Sequence, residues 1–117
     1  MASYKDLNAW QKSMSLAEEI YRIAQQLPKD EVYVLSDQMR RAAVSIPSNI
    51  AEGHGRNSAR EFARFLLIAQ GSKSESETQL QLCVRLHYMT NEQIEHAQRL
   101  CEEVGKMLRM LIRRLEN

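Results

Sequence analysis

The side chains best suited to binding a metal are two cysteines and two histidines in the second half of the chain. Cys83 and His87 are four residues apart, a spacing that places two ligands on one face of a helix. Cys101 falls on the apolar stripe of the following helix whereas His96 does not, so these two side chains cannot converge on one ion. The pattern favours two thiols in a hydrophobic core, and we expect no metal site.

The common arrangements of catalytic residues are also missing from the sequence. It contains no evident Ser-His-acid or Cys-His arrangement, no glycine-rich phosphate loop and no paired-carboxylate signature. The Glu-x-x-His motif of di-iron bundles fails, because Glu92 precedes His96 by four residues rather than three. We therefore expect a protein that binds rather than catalyses, with no cofactor.

Positive charge is concentrated in three segments, residues 1–14, 50–64 and 105–117. Together they hold nine Lys or Arg against four Asp or Glu, whereas the rest of the chain holds seven against eleven. If the three segments meet, one end of the molecule carries a net +5 and can neutralise phosphates without reading base sequence. The candidate nucleic-acid-binding residues are Arg56, Arg60, Arg64, Lys106, Arg109, Arg113 and Arg114.

A solvated surface is the alternative interpretation of these cations. Basic residues in the last turn of a helix complement its dipole, which accounts for Arg113 and Arg114 without a ligand. The same argument does not account for Arg56, Arg60 and Arg64, which repeat every four residues near the start of a helix, where positive charge is unfavourable.

The elements that must position these residues are four helices. Hydrophobic periodicity predicts the first over residues 7–27, with Asp6 as its N-cap and Pro28 as its stop. Ser36 is expected to cap a second helix. Gly53 is expected to end it, because glycine accepts the left-handed conformation of a helix C-terminus.

Two capping boxes mark the remaining helix starts. In a capping box, the side chains of two residues three positions apart each accept a hydrogen bond from the backbone N–H of the other residue. The box at residues 58–61 begins a third helix over residues 59–88, and the box at 90–93 begins a fourth. Pro47 predicts a kink in the second helix rather than a break. Short connections make neighbours antiparallel, so we expect an all-α, up-down-up-down four-helix bundle forming one domain over residues 1–117.

The cysteine content and the lack of long apolar segments indicate where the protein is located. Two cysteines in 117 residues are too few for a secreted disulfide scaffold, which favours reduced thiols and a cytoplasmic location. The N-terminus lacks the apolar stretch of a signal peptide, and no apolar run approaches the roughly 20 residues that span a bilayer. We expect no membrane association.

Two stretches carry a resemblance to a known family. Residues 38–56, QMRRAAVSIPSNIAEGHGR, and residues 69–80, AQGSKSESETQL, resemble the bacterial four-helix bundles named after proteins encoded in intervening sequences of 23S rRNA genes. Trp10, Tyr21 and Pro28 extend the resemblance over nearly the whole chain. The positions that match the signature are Arg41, Ser45, Asn49, Glu52, Gly53, Arg56, Gly71, Ser72, Glu75 and Glu77.

The resemblance implies a ring-like homopentamer whose role is mostly undefined. A related branch looks like the accessory variability proteins of diversity-generating retroelements, which are associated with nucleic acid and a reverse transcriptase. That branch is distinctly basic, whereas this chain has a net charge of +1. We expect a non-catalytic homo-oligomer that binds RNA or DNA weakly through its basic end. The alternative is a protein-interaction scaffold or reverse-transcriptase accessory subunit with no direct nucleic-acid contact.

Several signature residues are expected to be structural. Antiparallel alignment of the second and third helices places Arg40 and Arg41 level with residues 71–77. This predicts an ion pair between the helices, from an arginine, Arg41 in particular, to Glu75 or Glu77. Ser45 and Asn49 lie beside the proline and are expected to satisfy the carbonyl groups that it frees.

Two further features concern local packing. Glu52 is expected to pair with Arg56, four residues on. Small side chains permit close backbone approach, so the small-residue run of the third helix is expected to pack against the second helix or another subunit. That run consists of Gly71, Ser72, Ser74, Ser76 and Thr78.

Overall fold

The computed structural model describes residues 3–116, most of which lie in four α-helices. The helices are α1 (Asn8–Ala24), α2 (Leu35–His54), α3 (Ala59–Arg85) and α4 (Asn91–Glu116). Short 3₁₀ turns at Tyr4–Asp6 and Lys29–Glu31 precede α1 and α2. The described part of the chain contains no strand, so the prediction of an all-α fold is confirmed.

The helices surround one core as the four sides of a bundle. Each helix packs against the next along the chain and α1 also packs against α4, while the diagonal pairs α1–α3 and α2–α4 make no close backbone contact within residues 3–116. Together with the short connections, this gives the predicted up-down-up-down bundle, measuring 44 × 24 × 19 Å. None of these helices is long and apolar enough to cross a membrane.

Both cysteines lie in the core, as the sequence predicts. The Sγ atom of Cys83 is 3.7 Å from the sulfur of Met39 on α2, and Cys101 is fully enclosed on α4. Burial raises the pKa of Cys83 to about 11 and that of Cys101 to about 12. Both thiols are therefore protonated and unreactive at neutral pH.

Of the two predicted capping boxes, that at residues 90–93 is confirmed and that at 58–61 is half formed, because the Glu61 carboxylate binds Arg64. The Ser58 hydroxyl accepts a hydrogen bond of 3.2 Å from the backbone N–H of Glu61 at the start of α3. At the start of α4, Thr90 and Gln93 each accept from the other's backbone N–H, at 3.1 and 2.9 Å. These bonds satisfy amide groups that have no partner inside the helix.

The predictions for the starts of α1 and α2 are wrong. Asp6 belongs to the preceding 3₁₀ turn, and the N-cap of α1 is Leu7, which provides no side-chain hydrogen bond. Ser36 lies inside the first turn of α2 and is buried there, and its hydroxyl donates to the carbonyl of Ala24 at 3.1 Å. Ser36 thus ties the start of α2 to the end of α1 instead of capping its own helix.

The prediction that Gly53 ends α2 through a left-handed conformation is also wrong. The helix continues to His54, and no glycine within residues 3–116 has a positive φ. The left-handed positions are Asn57 and His87, with φ of 57° and 65°. Gly53 is buried against α3, where a Cβ atom would lie 2.6 Å from the Cβ of Phe65. Its role is to let the two helices approach closely.

α2 continues through Pro47 without a break, as predicted, but the neighbouring polar side chains bond differently. Proline frees the carbonyl of Ala43, and neither candidate side chain donates to it. The Asn49 amide donates to the carbonyl and hydroxyl of Ser45, at 2.7 and 2.9 Å. The Ser45 hydroxyl lies 2.8 Å from that of Ser72 on α3. The network joins α2 to α3.

Candidate nucleic-acid interface

The three basic segments meet at one end of the bundle, as the topology predicts. A cleft of about 250 Å³ lies between residues 6–9, before and at the start of α1, and the last three turns of α4, including Arg114. Near the end of α4, Leu115 lines a second cleft with His54, the last residue of α2, and Asn57 in the turn before α3. The end that these segments form is called the basic end below.

The cations in the last three turns of α4, called the α4 cations below, are all exposed. Lys106, Arg109, Arg113 and Arg114 form no ion pair within residues 3–116. The first three are three and four residues apart and share one side of the helix, whereas Arg114 faces the start of α1. Four uncompensated positive charges therefore lie along the last three turns of α4.

The arginines near α3 are arranged differently. Arg56 pairs with Glu52 and Arg64 with Glu61, each at 3.1 Å, so the predicted Glu52–Arg56 pair is confirmed. Both guanidinium groups also lie over the ring of Phe65, with their carbon atoms 5.1 and 5.0 Å from its centroid. The two arginines are thus bound by local carboxylates and an aromatic ring.

Arg60 is the exposed cation that remains in this region, and it forms no ion pair with any residue from 3 to 116. The hydrogen bond from Arg64 lowers the pKa of Glu61 against an opposing effect of burial, and the charges of Arg64, Arg56 and Arg60 lower it further. Because Arg56 lies in the turn before α3, the predicted stripe of three arginines on one helix is wrong. Arg60 and the α4 cations form the better candidate site.

The predicted ion pair between α2 and α3 is wrong. Arg41 points outward and binds Asp37 at 2.9 Å, one turn earlier on its own helix. Glu77 binds Lys73 at 3.0 Å, and Glu75 accepts a hydrogen bond from within α3. Each charge thus finds a partner one helical turn away, at a smaller entropic cost than a contact between helices.

A close contact between α3 and α4 went unnoticed in the sequence. The Lys73 side chain is largely buried and packs against Gly105 of α4. A Cβ atom added to Gly105 would lie 3.1 Å from the Cε atom of Lys73. Gln70 donates a hydrogen bond of 3.0 Å to the Gly105 carbonyl. The signal was the glycine itself, which is unfavourable inside a helix and is tolerated where another element approaches closely.

The small-residue run of α3 has two faces. Ser72 and Ser76 are buried, which confirms close packing on the inner face. Gly71 points outward, and a Cβ atom placed there would meet nothing within 4 Å. Leu67 and Ile68 beside it are 59% and 42% exposed. The outer face of α3, defined by these three residues, is therefore apolar and uncovered.

The two side chains that were considered as metal ligands lie in different surroundings. Cys83 is buried, whereas His87 is exposed beyond the end of α3 and does not share its helical face. No three His, Cys, Asp or Glu side chains in the described part of the chain are grouped so that they can hold a metal ion.

Comparison with known proteins places these features in context. The sequence model of the 23S rRNA-intervening sequence proteins matches residues 5–110. The crystal structure of a protein with unknown function from the S23 ribosomal protein family of Bacteroides thetaiotaomicron superposes with a TM-score of 0.82. The two sequences are 31% identical over 89% of this chain and 97% of the other. No curated protein matches significantly.

Proposed function

The chain belongs to the family of 23S rRNA-intervening sequence proteins, and from that premise we propose that it is a non-catalytic homo-oligomer that binds nucleic acid weakly through its basic end. The observation that carries the proposal is the set of exposed α4 cations, which form no ion pair within residues 3–116, with Arg60 at the same end of the bundle. The proposed ligand is RNA or DNA, recognised by its phosphates.

Phosphate recognition fits both the number and the arrangement of these cations. A strand that follows α4 passes Lys106, Arg109 and Arg113 on one side of the helix. Such contacts release counterions and carry no base specificity, so the affinity is modest and falls steeply with salt. Arg56 and Arg64, which already have carboxylate partners, contribute less because binding must first break their ion pairs.

The outer face of α3 supports the homo-oligomeric part of the proposal. A glycine in a helix interior is less favourable than alanine by about 1 kcal/mol. At Gly71, however, no atom in the described part of the chain lies within 4 Å of an added Cβ atom, so internal packing does not require a glycine there. A helix of a second copy packed against Leu67 and Ile68 would use that space. In a pentameric ring with parallel axes, five basic ends would lie on one face and multiply a weak contact.

Light scattering tests the assembly. The protein should have a mass of several chains, and Leu67→Asp should reduce it to that of one chain. Leu86→Asp is the matched control, because Leu86 is also an exposed leucine but lies at the other end of α3. A wild-type protein that is monomeric at high concentration would contradict self-association.

Fluorescence anisotropy with a labelled single-stranded RNA tests the basic end. We expect Arg113→Glu/Arg114→Glu to weaken binding strongly. Lys29→Glu/Arg85→Glu changes the net charge equally at the opposite end and should have little effect. Equal weakening by the two double variants would show that overall charge, and not this site, attracts the nucleic acid.

A second candidate function is supported by the opposite end. Val32, Tyr33 and Val34 form an exposed apolar tip, with 91% of Tyr33 accessible. Such a tip suits a protein-interaction scaffold, including an accessory subunit of a reverse transcriptase. Wild-type protein that assembles but shows no salt-dependent binding of RNA or DNA would favour this candidate.

A further inference from the structure

A cleft of about 350 Å³ opens between the start of α1 and the second half of α2, at the same end of the bundle as the α4 cations. Tyr4 and Trp10 form one wall, and Val44, Pro47 and Ser48 form the other. Its volume falls within the range of small-molecule pockets, about 300–1,000 Å³. No charged side chain lines it.

The aromatic wall has the geometry of a corner. The ring centroids of Tyr4 and Trp10 are 5.3 Å apart and the rings are inclined by 70°, an edge-to-face pair. Both side chains are only partly buried. Because the two rings are nearly perpendicular, a flat group in the cleft can stack on the face of one ring and meet the edge of the other.

Polar groups around the cleft are available for hydrogen bonds. The Tyr4 hydroxyl, the Trp10 indole N–H and the Ser48 hydroxyl have no hydrogen-bond partner within residues 3–116. A mostly apolar cleft with a few such groups suits a flat heterocycle that carries donors and acceptors on its edge.

Cations lie beside the cleft rather than inside it. Lys5 follows Tyr4 directly and is exposed. Arg114 lines the neighbouring cleft on the other side of α1, which is formed in part by residues 6–9. Aromatic side chains combined with nearby cations bind single-stranded nucleic acid, because the bases stack while the phosphates follow the charges. Lys5 is the cation nearest to the cleft along the chain, and Arg114 is separated from the cleft by α1.

We infer that the Tyr4–Trp10 cleft takes one unstacked base of a single-stranded nucleic acid whose phosphates lie against the basic end. The inference rests on the proposed function and narrows it. Bases of a duplex are paired and stacked inside the helix, so a duplex cannot place one in the cleft without being opened.

The single tryptophan provides a direct measurement, because Trp10 is the only one in the chain. A short oligouridylate should change the Trp10 emission on binding, whereas a duplex of equal length should bind through its phosphates and leave the emission unchanged. Tyr4→Ala should weaken oligouridylate binding about fivefold or more, the effect expected for loss of one stacking partner. Tyr33→Ala removes an exposed tyrosine at the opposite end and should have no effect.

A second variant avoids any loss of core packing. Ser48 is exposed on the rim of the cleft, so Ser48→Phe should fill the space while circular dichroism shows unchanged helix content. We expect it to weaken the oligouridylate and spare the duplex. Equal effects on both ligands would overturn the inference.

The outcomes separate this inference from the proposed function. Salt-dependent binding of oligouridylate with unchanged Trp10 emission would refute the base pocket and leave the basic end intact. Absence of salt-dependent binding would refute the proposed function and the base pocket with it. An emission change that depends on protein concentration alone would assign the cleft to a second copy of the chain and overturn the inference.

Discussion

Gly53 and Gly71 both lie inside α-helices, and alanine in place of each should change the free energy of unfolding in opposite directions. At Gly71 the added Cβ atom meets nothing within 4 Å. At Gly53 it would lie 2.6 Å from the Cβ of Phe65 and 3.1 Å from the Cδ1 of Phe62. The Cβ of Phe65 is fixed to the backbone and cannot rotate away, so α2 and α3 must move apart.

The magnitudes follow from two opposing effects. Alanine is favoured over glycine in a helix interior by about 1 kcal/mol, which applies in full at the open position. Overpacking a tight contact costs about 1–3 kcal/mol, and separation of the helices also loosens the contacts around Phe65. We expect Gly71→Ala to stabilise the monomer by about 0.5–1 kcal/mol and Gly53→Ala to destabilise it by about 1–2 kcal/mol.

Urea unfolding followed by circular dichroism measures both changes. It should be performed at a concentration where light scattering shows one chain, since the proposed assembly would add its own energy at Gly71. The dependence of the unfolding free energy on urea should be equal in the two variants. A Gly53→Ala protein as stable as Gly71→Ala would refute the close helix contact.

Three other predictions concern buried groups. Burial raises the pKa of Cys83 to about 11 and that of Cys101 to about 12, so iodoacetamide at pH 8 should label these thiols only after unfolding. Equal labelling rates in the folded and unfolded protein would contradict their burial. Because the ordinary thiol pKa is 9.0, unfolding releases protons above pH 9, and the free energy of unfolding from urea titrations should fall as pH rises from about 9 to about 12. Ser36→Ala should lower that free energy by about 1 kcal/mol, because the hydrogen bond between α1 and α2 is lost and the carbonyl of Ala24 keeps only a long bond of 3.4 Å from the backbone N–H of Leu27. Ser15→Ala removes a long, exposed bond and should have a negligible effect, and equal effects of the two variants would contradict the role of Ser36.

The four helices could be predicted because their signals are local. Ser58 and Thr90 begin their helices with hydrogen bonds to residues three positions on, which a sequence displays directly. The same holds for Glu52 and Arg56, one helical turn apart. The periodic apolar residues of α4 fix its buried face, so the antiparallel topology and the meeting of the basic segments follow from the number of helices and the short connections.

The misassigned residues depend on contacts between helices. Ser36 resembles a cap, but α1 provides a carbonyl acceptor that no local pattern reveals. Gly53 resembles a helix end, whereas its role depends on Phe65 of the next helix. Arg41 was placed at the correct level along the bundle but on the wrong side of α2, because a shift of one residue rotates a side chain by about 100°.

The sequence revealed the cations of the candidate site but not which of them are available. Net charge counts Arg56 and Arg60 equally, yet the first binds Glu52 and the second is unpaired within residues 3–116. The Tyr4–Trp10 cleft could not be predicted, because its opposite wall comes from α2 and its shape depends on how the helices pack.

The salt dependence of RNA binding tests the central claim most directly. Counterion release predicts a slope of about −0.7 for each phosphate contacted by a single strand, in a plot of the logarithm of affinity against that of salt concentration. Arg60 and the four α4 cations together predict a slope of about −3.5. Arg113→Glu/Arg114→Glu should make it shallower by about 1.4 or more, and Lys29→Glu/Arg85→Glu should leave it unchanged. A slope near zero in the wild type, or one that Arg113→Glu/Arg114→Glu does not alter, would contradict nucleic-acid binding at the basic end.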